Sequence, residues 1–294
     1  MGRLLVAEFR KTLTTKSWWG LMIPAVVLAF GFALGWGAFA NEVGDVLTSS
    51  QTQTIARALG IETGNLPMGL LAIAHGINIG LTFPVIFGVF ALAGEYSKKT
   101  ITTTFLTAPN RVSVLTAKMI TYIVWGAIYG IVLAAVSSLG ILITVDGSRL
   151  PTGGQWIGVL GASMLAGVLA TLFGIGVGAM WNSVVGSVVT LVIYLLIIEN
   201  VLVLLFYGLW RIDWLGAVLP NGTMNGIVGA IGAQAFGASG VKVPGLDKET
   251  QWTLQYVAGA PGAVSWWASA LVFLAWTAVF FAGGWAANQR RDIT

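Results

Sequence analysis

The sequence lacks cysteine altogether, contains a single histidine, His75, and only 9% of its 294 residues are charged. Without cysteine the chain has no disulfide, no thiol nucleophile and no cysteine metal site. The pattern G-x-x-x-x-G-K-[ST], whose backbone cradles nucleotide phosphates, is also missing. An intramembrane enzyme needs convergent acids, bases or metal ligands, and a lone histidine without an acidic cluster disfavours that class. We therefore expect no catalytic residue, no metal ligand and no cofactor on this chain.

Apolar residues, in contrast, make up 56% of the sequence, and the mean hydropathy is +0.85. A helix that crosses a membrane needs about 20 such residues, and polar interruptions divide the chain into six runs of that length. The runs are residues 18–40, 70–93, 114–145, 156–180, 184–206 and 265–287. The fold class is therefore predicted to be an all-α integral membrane protein, with six transmembrane helices in a single domain over residues 1–294.

Three segments lie outside the predicted spans. Residues 1–17 place apolar side chains opposite charged ones at helical spacing, which predicts an amphipathic interfacial helix. Its apolar face carries Leu4, Leu5, Phe9 and Leu13. Residues 41–69 are polar and are expected to contain a short helix near 52–59. Residues 207–264 are rich in glycine and predict a long external or re-entrant segment between the fifth and sixth helices.

The predicted fourth span repeats small residues at every fourth position: Gly158, Ala162, Ala166, Ala170, Gly174 and Gly178. Such a pattern lets another helix approach closely. Two partners stay open from the sequence, a neighbouring helix of the same subunit and a helix of a second subunit.

A polar, threonine-rich link over residues 95–113 connects the second and third spans. It carries the cations Lys98, Lys99 and Arg111. The apolar residues Phe105 and Leu106 lie in its middle, and Pro109 would end a helix formed there. One interpretation is a docking surface for a partner protein. The other is a topology signal, in which the first two cations also pair with Glu95.

Charge is distributed unevenly between the two sides of the predicted bundle. With both termini and the link on one side, that side has ten cations and three acids, and the other has five cations and seven acids. Cytoplasmic segments are enriched in Lys and Arg, so both termini and the link are predicted to be cytoplasmic, in a multi-pass protein of the plasma membrane. The basic pI near 9.5 reflects this asymmetry, and no nucleic-acid partner is expected.

Two stretches suggest a family. AEFRKTLTTKSWW before the first span and GEYSKKTITTTFLTAPNRVSVLTAK between the second and third resemble the permease subunits of type-2 ABC exporters, particularly actinobacterial ones. The six-span plan is similar as well. The resemblance implies an ATP-driven exporter in which two permease subunits, identical or homologous, pair as a dimer. Two cytoplasmic ATP-binding subunits would then hold the ATP and Mg²⁺.

In permeases similar to this family, the link between spans two and three forms a coupling helix seated in a cleft of the ATPase. Here that helix would cover about residues 96–108. The docking residues that follow from the resemblance are Tyr96, Lys98, Lys99, Thr103, Phe105, Leu106 and Arg111. The threonine hydroxyls and the apolar pair in the link favour the same role.

Glu199 is an acidic residue inside a predicted span, where a charge is costly unless it faces protein or water. Counted from Ser183 at 1.5 Å per residue, it lies about 24 Å along the fifth span, in the outer third of a roughly 30 Å core. The same count from Glu95 puts Asn78 and His75 at a similar depth. In similar exporters spans two and five line the route, so we predict that these three residues line the outer translocation pathway or hold its external gate. The alternative is a packing role for Glu199 and a solvated position for His75.

A secondary transporter or channel subunit that is not powered by ATP is the alternative function. Such proteins usually have ionisable residues at mid-membrane or paired broken helices in symmetric halves. Of these features, the sequence has an ionisable residue well inside a predicted span, Glu199.

Overall fold

A computed structural model describes residues 2–58, 67–98, 111–181, 183–238 and 247–289. Within these ranges the chain is helical and contains no strand. Six helices are long and apolar enough to cross a membrane: Ser17–Thr48, Met68–Ser97, Val112–Thr144, Gly153–Trp181, Val184–Trp210 and Trp266–Gly284. The prediction of an all-α protein with six membrane-spanning helices is confirmed at this level, and the chain has the architecture of a multi-pass membrane protein.

The helices in chain order are α1 (Gly2–Thr14), α2 (Ser17–Thr48), α3 (Ser50–Ala58), α4 (Met68–Gly80), α5 (Thr82–Ser97), α6 (Arg111–Thr144), α7 (Gly153–Trp181), α8 (Val184–Ile193), α9 (Glu199–Trp210), α10 (Pro220–Ala238), α11 (Asp247–Val257) and α12 (Trp266–Gln289). A π-helical turn, Tyr194–Ile198, joins α8 to α9. The six spans are α2, α4 with α5, α6, α7, α8 with α9, and α12. We call the end of the bundle where α5 ends and α6 begins the link face, and the opposite end the cap face.

The second span is divided at Leu81, between α4 and α5. Pro84 lacks the N–H that would donate to the carbonyl of Gly80, so one helical hydrogen bond is missing at the junction. This span occupies the centre of the bundle: 83% of its most apolar 18 residues are buried, against 22% for the first, fifth and sixth spans. The peripheral spans therefore present most of the apolar outer surface.

Small residues set how closely the central helices approach. A Cβ atom at Gly126 of α6 would overlap the backbone of Gly167 of α7, and one at Gly174 would overlap the carbonyl of Val85 in α5. Removing the side chain lets the two backbones meet directly. The small residues of the fourth span are thus packed against helices of the same chain, which is one of the two partners that the sequence left open.

The first span continues as a helix to Thr48, beyond its predicted end at residue 40. The extension is held by Arg149, which follows the third span. Its guanidinium donates to the carbonyl of Asn41 at 2.8 Å and lies 2.7 Å from the carboxylate of Asp45. A short helix, α3, then lies close to the position predicted for one.

The α1 helix forms where the amphipathic helix was predicted, and its inward face includes polar residues beside the apolar ones. Glu8 and Thr12 are buried, whereas Leu13, expected on the apolar face, is 54% exposed. Phe9 packs on the bundle core as expected. The inward face is selected by polar partners for Glu8 and Thr12 in α6, which a hydropathy pattern does not reveal.

Residues 211–265, which we call the cap segment, are described over 211–238 and 247–265, and these parts cover the cap face. Its helix α10 is buried against α4, α7 and α12. The indole of Trp276 donates to the carbonyl of Val218 at 2.7 Å, although Trp276 lies ten residues, about 15 Å, along α12 from its start. The chain before α10 therefore enters the bundle from the cap face. The α10 helix then runs back toward the cap face, where Gly232 lies beside Leu70 near the start of α4.

Candidate functional site

Four charged side chains meet at the link face, and we call them the link root: Glu8, Lys11, Glu95 and Lys118. Lys118 of α6 is only 2% exposed. Its ammonium donates to both carboxylate oxygens of Glu8 at 3.0 Å and to Oε1 of Glu95 at 2.6 Å. Lys11 also contacts Oε1 of Glu95. A buried ammonium with three donors and two carboxylates around it is therefore fully paired.

The link root joins three separate parts of the chain. Glu8 and Lys11 belong to α1, Glu95 to the end of the second span, and Lys118 to the beginning of the third. Partial burial, together with repulsion from Lys118, lowers the pKa of Lys11 to about 8. The two acids and two lysines balance in number, so α1 is held to both helices that bear the link by one cluster without net charge.

Two more hydrogen bonds hold α1 and the start of the first span to α6. The indole N–H of Trp125 donates to Thr12 Oγ1 at 3.0 Å, and the hydroxyl of Tyr129 donates to the carbonyl of Trp18 at 2.9 Å. The rings of Trp18 and Trp125 also lie 5.3 Å apart. The N-terminal helix is thus docked on the bundle over several turns of α6.

Of the predicted docking residues, Tyr96 and Lys98 fall within the described part of the chain. Tyr96 is half-buried and packs on the core, and Lys98 is exposed. Lys99, Thr103, Phe105 and Leu106 lie outside the described residues, as does the side chain of Arg111. The carboxylate of Glu95 is bound by Lys11 and Lys118. The alternative in which Lys98 and Lys99 pair with Glu95 stays a prediction, because Lys99 lies outside the described residues.

A second site lies toward the cap face, in a cavity of about 400 Å³ that we call the cap cavity. Its walls come from the first, second and fifth spans, from the start of α10 and from residues 256–261. All three residues predicted for the pathway, Glu199, Asn78 and His75, line it. Its volume falls within the range of about 300–1,000 Å³ that is usual for ligand sites.

Glu199 is 1% exposed and closes the N-terminus of α10. Its Oε2 accepts from the backbone N–H of Asn221 at 2.8 Å, and its Oε1 accepts from that of Gly222 at 2.5 Å. The first N–H groups of a helix have no partner within the helix, and the helix dipole favours a negative charge there. A carboxylate on one helix therefore satisfies the free donors of another.

The backbone beside Glu199 is also irregular. The N–H of Glu199 donates to the carbonyl of Tyr194, five residues earlier, as in a π-helix. The side-chain amide of Asn200 donates to the carbonyls of Leu195 and Leu196 at 3.1 Å. Single π-helical turns often occur at functional sites. This one sets the direction in which the side chain of Glu199 projects from the fifth span.

His75 and Asn78 bind the other end of the cap segment. Nε2 of His75 lies 2.7 Å from the carbonyl of Val257, so it carries the hydrogen, and the ring stacks on Trp36 with centroids 3.9 Å apart. The amide of Asn78 donates to the carbonyl of Gly259 at 3.2 Å. Each of the three predicted residues thus holds a backbone group of the cap segment.

Sequence reasoning missed the link root and the contribution of α10. Glu8 and Lys118 are 110 residues apart, and nothing local marks them as partners. A signal for α10 was present, because Pro220 is a residue type favoured at the first position of a helix. Among the described residues no group of three or more His, Cys, Asp or Glu side chains could hold a metal ion.

In comparisons with known proteins, neither a protein-family model nor a curated protein matches the chain.

Proposed function

We propose that the chain is the permease subunit of an ATP-driven exporter of the type-2 ABC class. It pairs with a second permease subunit and binds two ATPase subunits, which carry ATP and Mg²⁺. The termini and the link lie in the cytoplasm, and the bundle spans the plasma membrane. Six apolar helices without a nucleotide-binding loop in the sequence support a permease whose energy comes from another chain.

The observation that carries the proposal is the link root. Glu95 and Lys118 flank the link on either side, and their charged atoms are 2.6 Å apart. The two helices that bear the link are therefore joined by an ion pair close to where the link begins and ends. A movement imposed on the link reaches the second and third spans together, and it reaches the first span through α1. Such a base suits a coupling element better than a plain connector.

The cap cavity supplies the other half of the proposal. In it, Glu199, His75 and Asn78 hold the backbone of the cap segment at Asn221, Val257 and Gly259. We assign the cap segment as the external gate and the cavity below it as the outer part of the pathway. Opening the gate requires these hydrogen bonds to separate, which a change in the positions of spans two and five would bring about.

The test is replacement of Phe105 and Leu106 by aspartate in the link. Burying an apolar side chain of this size contributes about 1.5–3 kcal/mol, so two charges should abolish co-purification of the neighbouring ATPase. A matched control places aspartate at Thr14 and Thr15, which are exposed on the same face, and should retain the ATPase. Permease yield should be unchanged in both variants. An intact complex in the Phe105 and Leu106 variant would overturn the docking role.

A secondary transporter is the second candidate, and one observation favours it. Glu199 is a buried carboxylate inside a span, the kind of group that proton- or ion-coupled carriers use. Proteoliposomes separate the two functions. Transport that follows an imposed proton gradient without ATP and the ATPase subunits supports the carrier, and transport that needs both supports the exporter.

A further inference from the structure

Two of the side chains that line the cap cavity have a buried amide oxygen without a hydrogen-bond partner in the described chain. Asn78 is only 8% exposed, and its amide oxygen has no hydrogen-bond partner within the described parts of the chain. The amide oxygen of Asn225 also lacks a partner in the described chain, although the amide nitrogen of the same side chain donates to Asn221. A buried acceptor without a partner costs free energy, so these oxygens favour a bound group that donates hydrogen bonds or carries positive charge.

The charge of the cavity points the same way. Among the residues that line it, Glu199 is acidic and none is Lys or Arg. In the described part of the chain Glu199 forms no salt bridge. The N-terminus of α10 is equivalent to about half a positive charge, which offsets only part of the carboxylate. An anion would be repelled from this site, and a cation would complete it.

The side chains at the opening of the cavity indicate the chemistry of the rest of the ligand. Phe32 and Leu196 line it and are also 42% and 39% exposed, so it opens to the bundle surface between the first and fifth spans. A groove formed by Gly31, Gly35 and Phe39 continues from Phe32 along the first span. In a membrane this opening meets apolar surroundings, so a ligand that enters here carries an apolar body.

We propose that the cap cavity binds a cationic amphiphile. Its positive group lies beside Glu199, within reach of the amide oxygens of Asn78 and Asn225. Its apolar body lies between Phe32 and Leu196 and extends toward the surface. The proposal rests on the proposed function for the view that this cavity belongs to the transport route, but the binding itself needs neither ATP nor an ATPase.

Two ions of nearly the same shape and opposite charge test the proposal: tetraphenylphosphonium and tetraphenylborate. Their binding to the purified full-length permease in lipid nanodiscs is measured by equilibrium dialysis, with empty nanodiscs as the reference for partition into lipid. Wild-type protein should bind tetraphenylphosphonium saturably, and at least tenfold more tightly than tetraphenylborate.

Two variants then alter the charge of the site. Glu199→Gln removes the charge and keeps an acceptor, so tetraphenylphosphonium should bind at least tenfold more weakly. Asn225→Lys supplies a cation from the chain itself and should reverse the preference in favour of tetraphenylborate, while the Glu199 carboxylate that accepts from the start of α10 is kept. Glu42→Gln removes an exposed carboxylate on the same face and outside the cavity, and should bind as wild type. Tryptophan fluorescence on heating shows that each variant is folded.

Equal binding of the two ions by wild type would overturn the proposal, as would unchanged tetraphenylphosphonium binding in folded Glu199→Gln and Asn225→Lys variants. Failure of the proposed function looks different. If the permease binds tetraphenylphosphonium selectively but no ATPase co-purifies with it from cells, the binding site stands and the exporter is overturned. If an ATPase co-purifies but the permease binds neither ion selectively, the exporter stands and the binding site is overturned.

Discussion

The link root and the cap cavity both bury carboxylates, but they compensate them differently. Glu8 and Glu95 share the ammonium of Lys118, which is 2% exposed, and Lys11 adds a second cation. Glu199 is equally buried and has backbone N–H groups as donors but no cationic partner in the described chain. In the link root the two carboxylates are balanced by two ammonium groups. In the cap cavity the carboxylate of Glu199 has no balancing cation in the described chain.

This difference separates stability from function. Removing one partner from a buried ion pair leaves an uncompensated charge, which costs about 3–5 kcal/mol. A site that is already short of a cation loses less stability when it is altered and more of its ability to bind. We therefore expect variants of the link root to affect folding most, and variants of the cap cavity to affect the ligand most.

Lys118→Met should have the largest effect. Methionine keeps an unbranched side chain, one atom shorter than lysine, but leaves Glu8 and Glu95 facing each other with Lys11 alone, so the free energy of unfolding should fall by about 3–5 kcal/mol. Denaturant unfolding in mixed micelles, followed by tryptophan fluorescence, measures the loss. Lys16→Met, which removes an exposed cation from the same face, serves as the control. Equal stability of the two variants would mean that the link root is not the base on which the link depends.

Glu199→Ala should have the next largest effect on stability. It leaves the N–H groups of Asn221 and Gly222 without their acceptor, which costs about 1–3 kcal/mol. Glu199→Gln keeps one acceptor and should lose less. Both variants should nevertheless reduce substrate-stimulated ATP hydrolysis in the reconstituted complex. If the glutamine variant keeps wild-type stimulation while the alanine variant alone unfolds easily, Glu199 is a packing residue, which is the alternative that the sequence left open.

How far each feature could be predicted depends on how far apart in the sequence the interacting residues lie. The six spans are read from the sequence because each is a local run of apolar residues, and Glu199, Asn78 and His75 are found by counting along two of them. The link root joins residues 8, 11, 95 and 118, and the partner of Glu199 is the backbone of α10, so local side-chain patterns do not reveal either contact. Glu8 was grouped with the charged residues opposite the apolar face of α1, because the sequence does not distinguish a buried acid from a solvated one until its lysine partner is known.

Within the cap cavity, His75 and Asn78 should differ from each other. His75→Phe keeps the ring on Trp36 but loses the hydrogen bond to Val257, so the free energy of unfolding should fall by about 0.5–1.5 kcal/mol. Asn78→Leu loses the bond to Gly259 and also removes the amide oxygen that has no partner. These effects oppose each other, and the change in stability should be close to zero. A loss in the leucine variant as large as in the phenylalanine variant would show that Asn78 serves only to hold the cap segment.

The smallest effect on stability is expected from two single cysteines that establish which site faces the cytoplasm. The natural chain has no cysteine, so Ser49→Cys and Ser97→Cys each give one reactive thiol, the first at the cap face and the second at the link face. Because short cytoplasmic segments are enriched in Lys and Arg, an impermeant maleimide should label Ser49→Cys in intact cells and Ser97→Cys only after permeabilisation. Both positions are exposed, so a difference in labelling reports sidedness and not burial. The reverse pattern would put the link root outside the cell, where no ATP-hydrolysing subunit can reach the link, and the cap cavity would then open toward the cytoplasm.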